Sequence, residues 1–263
     1  MNQFVFDNYA ASYDLNFEEN NITKILRKKI QTIFLNYFKK GDLILELNCG
    51  TGNDAIFLAQ NGINIFATDI SQKMIEVTSE KILKLNLENN ITLEQKSIEN
   101  IFELQTKNFD GIFSNFGGIN CVTNISNVFY DVNNLLKPNG IFILNFMNKF
   151  CLFETIAFLK KGKLKKAFER LHKNGVDVKL QNEYVKTYYY FANQIKQNSQ
   201  KYFDIIQLTG LNFFSPNPNF IDFYNRHPKI SNIFLNIENK VESIFPFYYF
   251  GDHAIVVLKK KKI

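Results

Sequence analysis

The segment Ile44–Ala59, ILELNCGTGNDAIFLA, gathers the residues of this chain best suited to chemistry. Gly50 and Gly52 stand one residue apart, with Asn48 where a third glycine would extend the series. Asp69 follows, in NIFATD. Glycines at this spacing let the main chain approach a ligand closely, and an acid at the end of the next strand accepts hydrogen bonds from ribose hydroxyls. Gly50-x-Gly52-x-x-Ala55 matches the dinucleotide fingerprint, yet these residues alone do not separate NAD from S-adenosylmethionine. Asp54, at the expected start of the next helix, is read as its cap.

Such a loop works only between a strand and a helix. Ile22, Ile25, Leu26, Ile30, Ile33 and Phe34 recur at helical spacing, so the first 40 residues read as helical. Strands are expected at 42–47, 64–69, 91–95 and 109–116. Helices are expected from about Asp54, through 71–87 and over 126–136. A Pro-Asn-Gly turn then feeds a fifth strand, 140–146. Apolar strands alternating with helices predict a doubly wound, mostly parallel α/β sheet, with ligands outside the carboxyl ends of the strands. Further on, 150–171 reads as helix, 176–190 as a hairpin and 193–210 as an amphipathic helix ending at Gly210. A short strand and a Pro-rich turn follow at 211–220, then a helical stretch at 220–245 and a last strand at 253–261. The expected organisation is a single domain over 1–263. It has a helical cover (1–40), a cofactor-binding core (41–148), a substrate-side insertion (149–250) and a final strand (251–263).

With 263 residues, 46% hydrophobic and 21% charged, the chain can bury a substantial core. No apolar run reaches the length of a membrane span, and the N-terminus lacks the basic region of a secretory signal. Cys49, Cys121 and Cys151 show no zinc spacing, so no metal is expected, and a reducing cytoplasmic setting fits them. The net charge of +6 is concentrated in Lys160–Lys173 and Lys259–Lys262. Either run is a solvated face or a contact for an anionic partner.

The residues around the loop carry a resemblance. LELNCGTGNDA (Leu45–Ala55) resembles the first motif of class I S-adenosylmethionine-dependent methyltransferases, and ATDIS (Ala67–Ser71) resembles the second. FDNYAASYD (Phe6–Asp14), FDGIFSNFG (Phe109–Gly117) and LLKPNGIFIL (Leu135–Leu144) agree in order and spacing. DHAIVVLKK (Asp252–Lys260) is similar to the antiparallel seventh strand of that Rossmann-like fold. The resemblance implies S-adenosylmethionine as cofactor. It places Asn48, Cys49 and Gly50 at the amino-acid part, takes Gly52 as the later glycine of the cofactor-binding loop, and has Glu46 orienting the amino-acid part and Asp69 holding both ribose hydroxyls. Ile70, Ser97 and Ile98 are implied at the adenine, Asn115 and Phe116 at the methionine portion, and Tyr13 as a cover. Where the family often has Asp, this chain has Ser97. Asn48 departs from the glycine pattern. Asn tolerates positive φ best after glycine, so Asn48→Gly is expected to retain cofactor binding.

Methyl transfer from a sulfonium is an in-line displacement that chiefly requires positioning and exclusion of water. His253, at the start of the last strand, is the candidate base. Aromatic residues in Thr187–Phe191, Phe213–Phe214 and Phe245–Gly251 are candidates for an apolar acceptor pocket. The leading expectation is O- or N-methylation of a small, apolar or aromatic molecule. A second is methylation of RNA or another anionic macromolecule held by Lys160–Lys166, although SNFGG (Ser114–Gly118) lacks the proline pair of nucleic-acid amino-methylating enzymes. The third is an NAD-dependent oxidoreductase. It is disfavoured by the 40 residues before the first strand and by the absence of a Tyr-x-x-x-Lys pair on a suitable helix.

Overall fold

The structure, a computed structural model, describes residues 3–180 and 182–262. Helices α1 (Gln3–Glu18) and α2 (Asn21–Tyr37) precede β1 (Leu43–Glu46). Then come α3 (Asn53–Gln60), β2 (Asn64–Asp69), α4 (Gln72–Leu85), β3 (Ile91–Gln95), β4 (Phe109–Ser114), α5 (Ile125–Leu135) and β5 (Leu136–Met147). The second half holds α6 (Leu152–Lys160), α7 (Leu164–Ala167), the hairpin β6 (Val176–Leu180) and β7 (Glu183–Thr187), and α8 (Ala192–Ser199). It closes with β8 (Phe203–Leu211), α9 (Ile221–Arg226), α10 (Pro228–Val241) and β9 (His253–Lys260).

Seven strands form one sheet in the order β3-β2-β1-β4-β5-β9-β8. Strand β9 pairs antiparallel with both β5 and β8, while β1 to β5 pair in parallel. It alone runs against the rest. In β9, Ala254, Val256 and Leu258 enter one core while Ile255 and Val257 enter the other, so successive residues bury both faces. Helix α5 covers the first core with Val128, Phe129 and Val132, and α2 covers the second with Ile30, Ile33 and Phe34. Phe113 of β4 meets Phe34 with ring centroids 4.5 Å apart. Caps define the helix ends: Asn20 accepts from the amides of Ile22 and Thr23 at α2, and Ser71 accepts from that of Met74 at α4.

Three segments differ from the sequence expectation. Residues 203–210 are not the end of a helix. They form β8, hydrogen-bonded to β9, so the 149–250 stretch contributes a sheet strand as well as a cap. The turn at Lys137–Asn139 is absorbed into β5, with Asn139 at φ 62° and a register shift opposite Phe109 and Gly111. The helix expected over 150–171 breaks at Gly162 into α6 and α7. The hairpin at 176–187 is present, its turn residue Gln181 lying outside the described residues.

Candidate functional site

Strand β1 lies between β2 and β4, so the chain winds outward to β3 and then returns across the sheet. The crevice at the carboxyl ends of β1 and β4 is where such sheets bind ligands. A cavity opens there. Glu46, Asn48, Cys49 and Gly50 form one wall; Asp69, Ile70 and Ile98 form another. Asn115 and Phe116 come from the loop after β4, and Tyr13 of α1 also lines the space. A Cβ built on Gly50 would meet the Tyr13 ring at 3.8 Å, so the tyrosine packs over the loop.

Two expected residues stand elsewhere. Gly52 caps α3 at φ 76°, and a Cβ there would come within 2.3 Å of the Thr78 methyl, so this glycine lets the loop at the start of α3 approach α4. Ser97 does not line the cavity; its Oγ accepts from the Glu99 amide at 3.2 Å and caps a short turn of 3-10 helix.

Asn48 is not a glycine substitute. The left-handed residues of the loop are Gly50 (φ 54°) and Gly52, and Asn48 is not among them. Its amide Nδ2 donates to the Asn115 carbonyl at 2.7 Å, and its Oδ1 accepts from Ser114 Oγ at 2.5 Å. The side chain therefore pins the loop after β1 to the loop after β4. Gly118 makes room for it, since a Cβ there would fall 2.3 Å from Asn48 Cγ.

Charge in the cavity is arranged against its burial. Glu46 is 2% exposed, its Oε2 has no hydrogen-bond partner, and burial holds its carboxyl well above the usual carboxylate range. Asp69 is pushed up to about 6 by burial, although the amides of Gly50 and Ser71 donate to its two oxygens at 2.9 Å each. Burial also raises the Tyr13 hydroxyl to about 12.

Sequence reasoning missed one half of the site. Arg27 of α2 lines the cavity, lies 4.8 Å from the Phe116 ring centroid and pairs with Asp54 at 3.3 Å. Asp54 does not cap α3 with its side chain. It accepts from Gln31 at 3.0 Å and from Asn115 at 2.8 Å, and Asn115 in turn accepts from Asn145 at 2.8 Å. This chain of contacts ties α2 to the ends of β4 and β5. The other omission is the cover. Val178, Leu180, Val185 and Thr187 of the β6–β7 hairpin also line the cavity, joined by Cys121 and Met147. Alternation within the hairpin was the available signal.

His253 does not line the cavity, nor do Phe213, Phe214 or Tyr188–Phe191. His253 Nδ1 is 2.8 Å from Asp252 Oδ2, inside a buried cluster where Arg170 bridges Asp252 (2.6 Å) and Glu154 (2.7 Å). Phe213, Phe214 and Phe247 pack on one another with centroids 4.7–5.7 Å apart. The wall facing the cofactor loop is thus aliphatic rather than aromatic. Cys151, Glu154 and Asp252 come close enough together to hold a cation, but the Arg170 guanidinium already supplies positive charge there.

The donor set suits S-adenosylmethionine. A buried carboxylate with an orphaned oxygen matches an ammonium group, and the Asp69 carboxylate keeps lone pairs free for hydroxyls beyond its two amide contacts. Comparison with known proteins agrees. Residues 38–203 match the family model described as "Methyltransferase domain". An uncharacterized protein of Methanocaldococcus jannaschii is 28% identical over 79% of this chain and 78% of its own length. The ubiquinone/menaquinone biosynthesis C-methyltransferase UbiE of Francisella tularensis subsp. novicida is 30% identical over 74% of this chain and 75% of its own. Among solved structures, the CcbJ methyltransferase of Streptomyces caelestis superposes with a TM-score of 0.58 over 88% of each chain at 12% identity, a likeness of fold. Among the described residues, no helix is long and apolar enough to cross a membrane.

Proposed function

This chain belongs to the class I S-adenosylmethionine-dependent methyltransferases, and from that premise we propose that it methylates a small, largely apolar acceptor beneath the β6–β7 hairpin. The observation carrying this reading is that the aliphatic side chains of the hairpin, Val178, Leu180 and Val185, line the same cavity as the Asn48–Gly50 loop. The cofactor, when bound, supplies a methyl group already activated on a sulfonium. Asp69 accepts from the ribose hydroxyls, Glu46 takes the amino group, and Ile70 with Ile98 flanks the adenine. Asn48, through Ser114 and the Asn115 carbonyl, fixes the distance between the two loops. Tyr13 and the hairpin exclude water, which strengthens every charge contact inside and leaves the acceptor as the competent nucleophile.

The UbiE relative, whose printed name places it in quinone biosynthesis, supports an apolar ring as acceptor. We assign transfer to oxygen or nitrogen, because a phenolate or amine is nucleophilic without a base to open a C–H bond, and among the described residues no histidine lines the cavity. A cytoplasmic setting fits the three free cysteines. We treat the chain as one domain, in which α1 and α2 cover the donor and the hairpin covers the acceptor.

The test is transfer of labelled methyl from S-adenosylmethionine to a panel of phenols, amines and quinols, with bulk RNA as a further substrate. Label on the oxygen or nitrogen of a small apolar acceptor is expected. Label appearing only in RNA, or only on carbon, refutes the corresponding part of the assignment.

A further inference from the structure

A second apolar surface lies on the cap, among α6, α9 and α10. Phe153, Phe213, Phe220, Phe223 and Phe234 line a groove there, and Ile156 and Ile230 stand at its open sides. Apolar residues continue outward from it. On α10, Ile230, Ile233 and Ile237 fall on one stripe of the helix and are all exposed, Ile233 by 56%. On α6 and α7, Ile156, Leu159 and Leu164 are exposed, Leu164 by 63%, with Phe168 just beyond. Several large apolar side chains concentrated on one part of a surface mark a contact site rather than ordinary exposure.

Its charge is one-sided. Lys160 and Lys161 stand on the groove wall with Arg226, and Lys163, Lys165 and Lys166 surround Leu164. Among the described residues the ion pair recorded for this group is Lys166 with Glu169, at 4.0 Å between exposed side chains. Acidic residues are few on the groove, with Asp222 its only acid among the described residues. The cationic Lys161 head sits 5.4 Å from the Phe220 ring centroid, so its stem already follows the apolar wall.

We propose that the α6–α7 turn and the exposed stripe of α10 form a docking surface for an anionic lipid bilayer, with the isoleucines and Leu164 entering the headgroup boundary and the lysines facing the lipid phosphates. The interleaving decides between anionic partners. Single-stranded nucleic acid stacks on exposed aromatic faces, but the groove phenylalanines pack on one another, Phe153 with Phe220 and Phe223 at centroid distances of 5.5 and 5.6 Å, and the exposed apolar side chains beside the lysines are mostly aliphatic. Protruding aliphatics gain nothing from a phosphate backbone in water; at a membrane surface they add burial to the attraction of the lysines. Neither Lys160–Lys166 nor the α10 stripe lines the cofactor cavity, so this inference stands apart from the acceptor assignment.

The full chain is sedimented with vesicles of phosphatidylcholine alone and with vesicles containing about one-third phosphatidylglycerol. Binding to the anionic vesicles, lost on raising salt to about 0.5 M, is expected. K161E/K165E lowers the partition coefficient at least about tenfold, since each lysine near such a surface is worth about fivefold. I233S/L164S lowers it as well. These are exposed positions outside the cofactor cavity, and calorimetry with S-adenosylmethionine verifies that each variant is folded and binds the cofactor as the parent does. Failure to bind anionic vesicles overturns the proposal. So does binding that the lysine pair abolishes but the apolar pair leaves unchanged, and tighter binding to a single-stranded RNA homopolymer than to the vesicles would reassign the face to nucleic acid.

Discussion

Asp69 must be an anion where burial disfavours one. Its folded value of about 6 lies above the ordinary 3.8, so between these values the folded protein holds a proton that the unfolded chain has released. The sign follows: this residue makes stability fall as pH rises through that window, and its unfavourable contribution is complete above about pH 6. In the proposed complex the ribose hydroxyls donate to the ionised form, so cofactor affinity should move the other way. We expect the dissociation constant for S-adenosylmethionine to rise as pH falls from about 7.5 to about 5, with Asp69→Asn weaker throughout and less steep over that range, the buried Glu46 carboxyl supplying the remaining slope. Calorimetry at several pH values tests it, and a flat profile in the parent protein removes Asp69 from the binding site. Asn48 gives a second prediction at this scale. Since its amide joins two loops, Asn48→Gly should cost about 1–3 kcal/mol in denaturant unfolding and weaken cofactor binding about tenfold, against the tolerance its sequence position suggested. Loop chemistry was legible from Glu46, Gly50 and Asp69. Asn48 was misread because sequence spacing reports where a glycine is usual, and hydrogen-bond partners 66 and 67 residues away leave no local pattern.

At the scale of elements, the contact of α3 with α4 depends on the missing side chain of Gly52. Alanine there meets two costs, a left-handed backbone worth about 1–2 kcal/mol and overlap with the Thr78 methyl worth about 1–3 kcal/mol. Thr78→Ser removes the methyl while keeping the hydroxyl that donates to the Gly50 carbonyl at 2.9 Å. Gly52→Ala should therefore lose about 2–5 kcal/mol in thermal unfolding, and Gly52→Ala/Thr78→Ser should recover the steric part. No recovery would mean that the helices do not meet as described. Strands β1 to β5 and β9 were readable because each is a short apolar run bounded by turns. Strand β8 was not. Ile195, Phe203 and Ile206 mimic helical spacing, and the partner that makes 203–211 a strand arrives some 50 residues later. Strand pairing over that distance outweighs a local periodicity.

Over the whole molecule, the cap is fastened to the sheet by a buried ionic knot. Arg170 meets Glu154 of α6 and Asp252 beside β9, and also donates to the Asn148 carbonyl past the end of β5. Asn217 reaches the same carboxylates at 2.9 and 3.2 Å. Arg170→Met should strip the guanidinium from Glu154 and leave Asp252 to His253 and Asn217, at a cost of about 3–5 kcal/mol in unfolding, more than most single exposed ion pairs contribute. Arg170 and His253 hold the Asp252 carboxyl well below the usual carboxylate range. Its depressed value means its stabilisation is fully present above the unfolded value near 3.8 and is lost only as pH falls toward the folded one. Loss of Arg170 should thus also move the acid unfolding midpoint to higher pH, which circular dichroism across an acid titration reads directly. None of this was visible in the sequence, where His253 drew attention as a base and Arg170 lay unremarked in a lysine-rich run.

Among the described residues the β6–β7 hairpin forms its own two-stranded sheet and shares no strand pairing with the seven-stranded one. Donor recognition is therefore written into the sheet ends, and the facing wall into a piece of chain that can be exchanged without breaking one bond of the main ladder. Inheritance can treat the two separately. Under the proposed function, substitutions at Val178, Leu180 and Val185 are free to follow a changing acceptor while Glu46, Asn48 and Asp69 stay under the constraint of an unchanged donor. Variation between descendants of this chain should accordingly concentrate in twelve residues, 176–187, which is also the segment to transplant when a new acceptor is wanted.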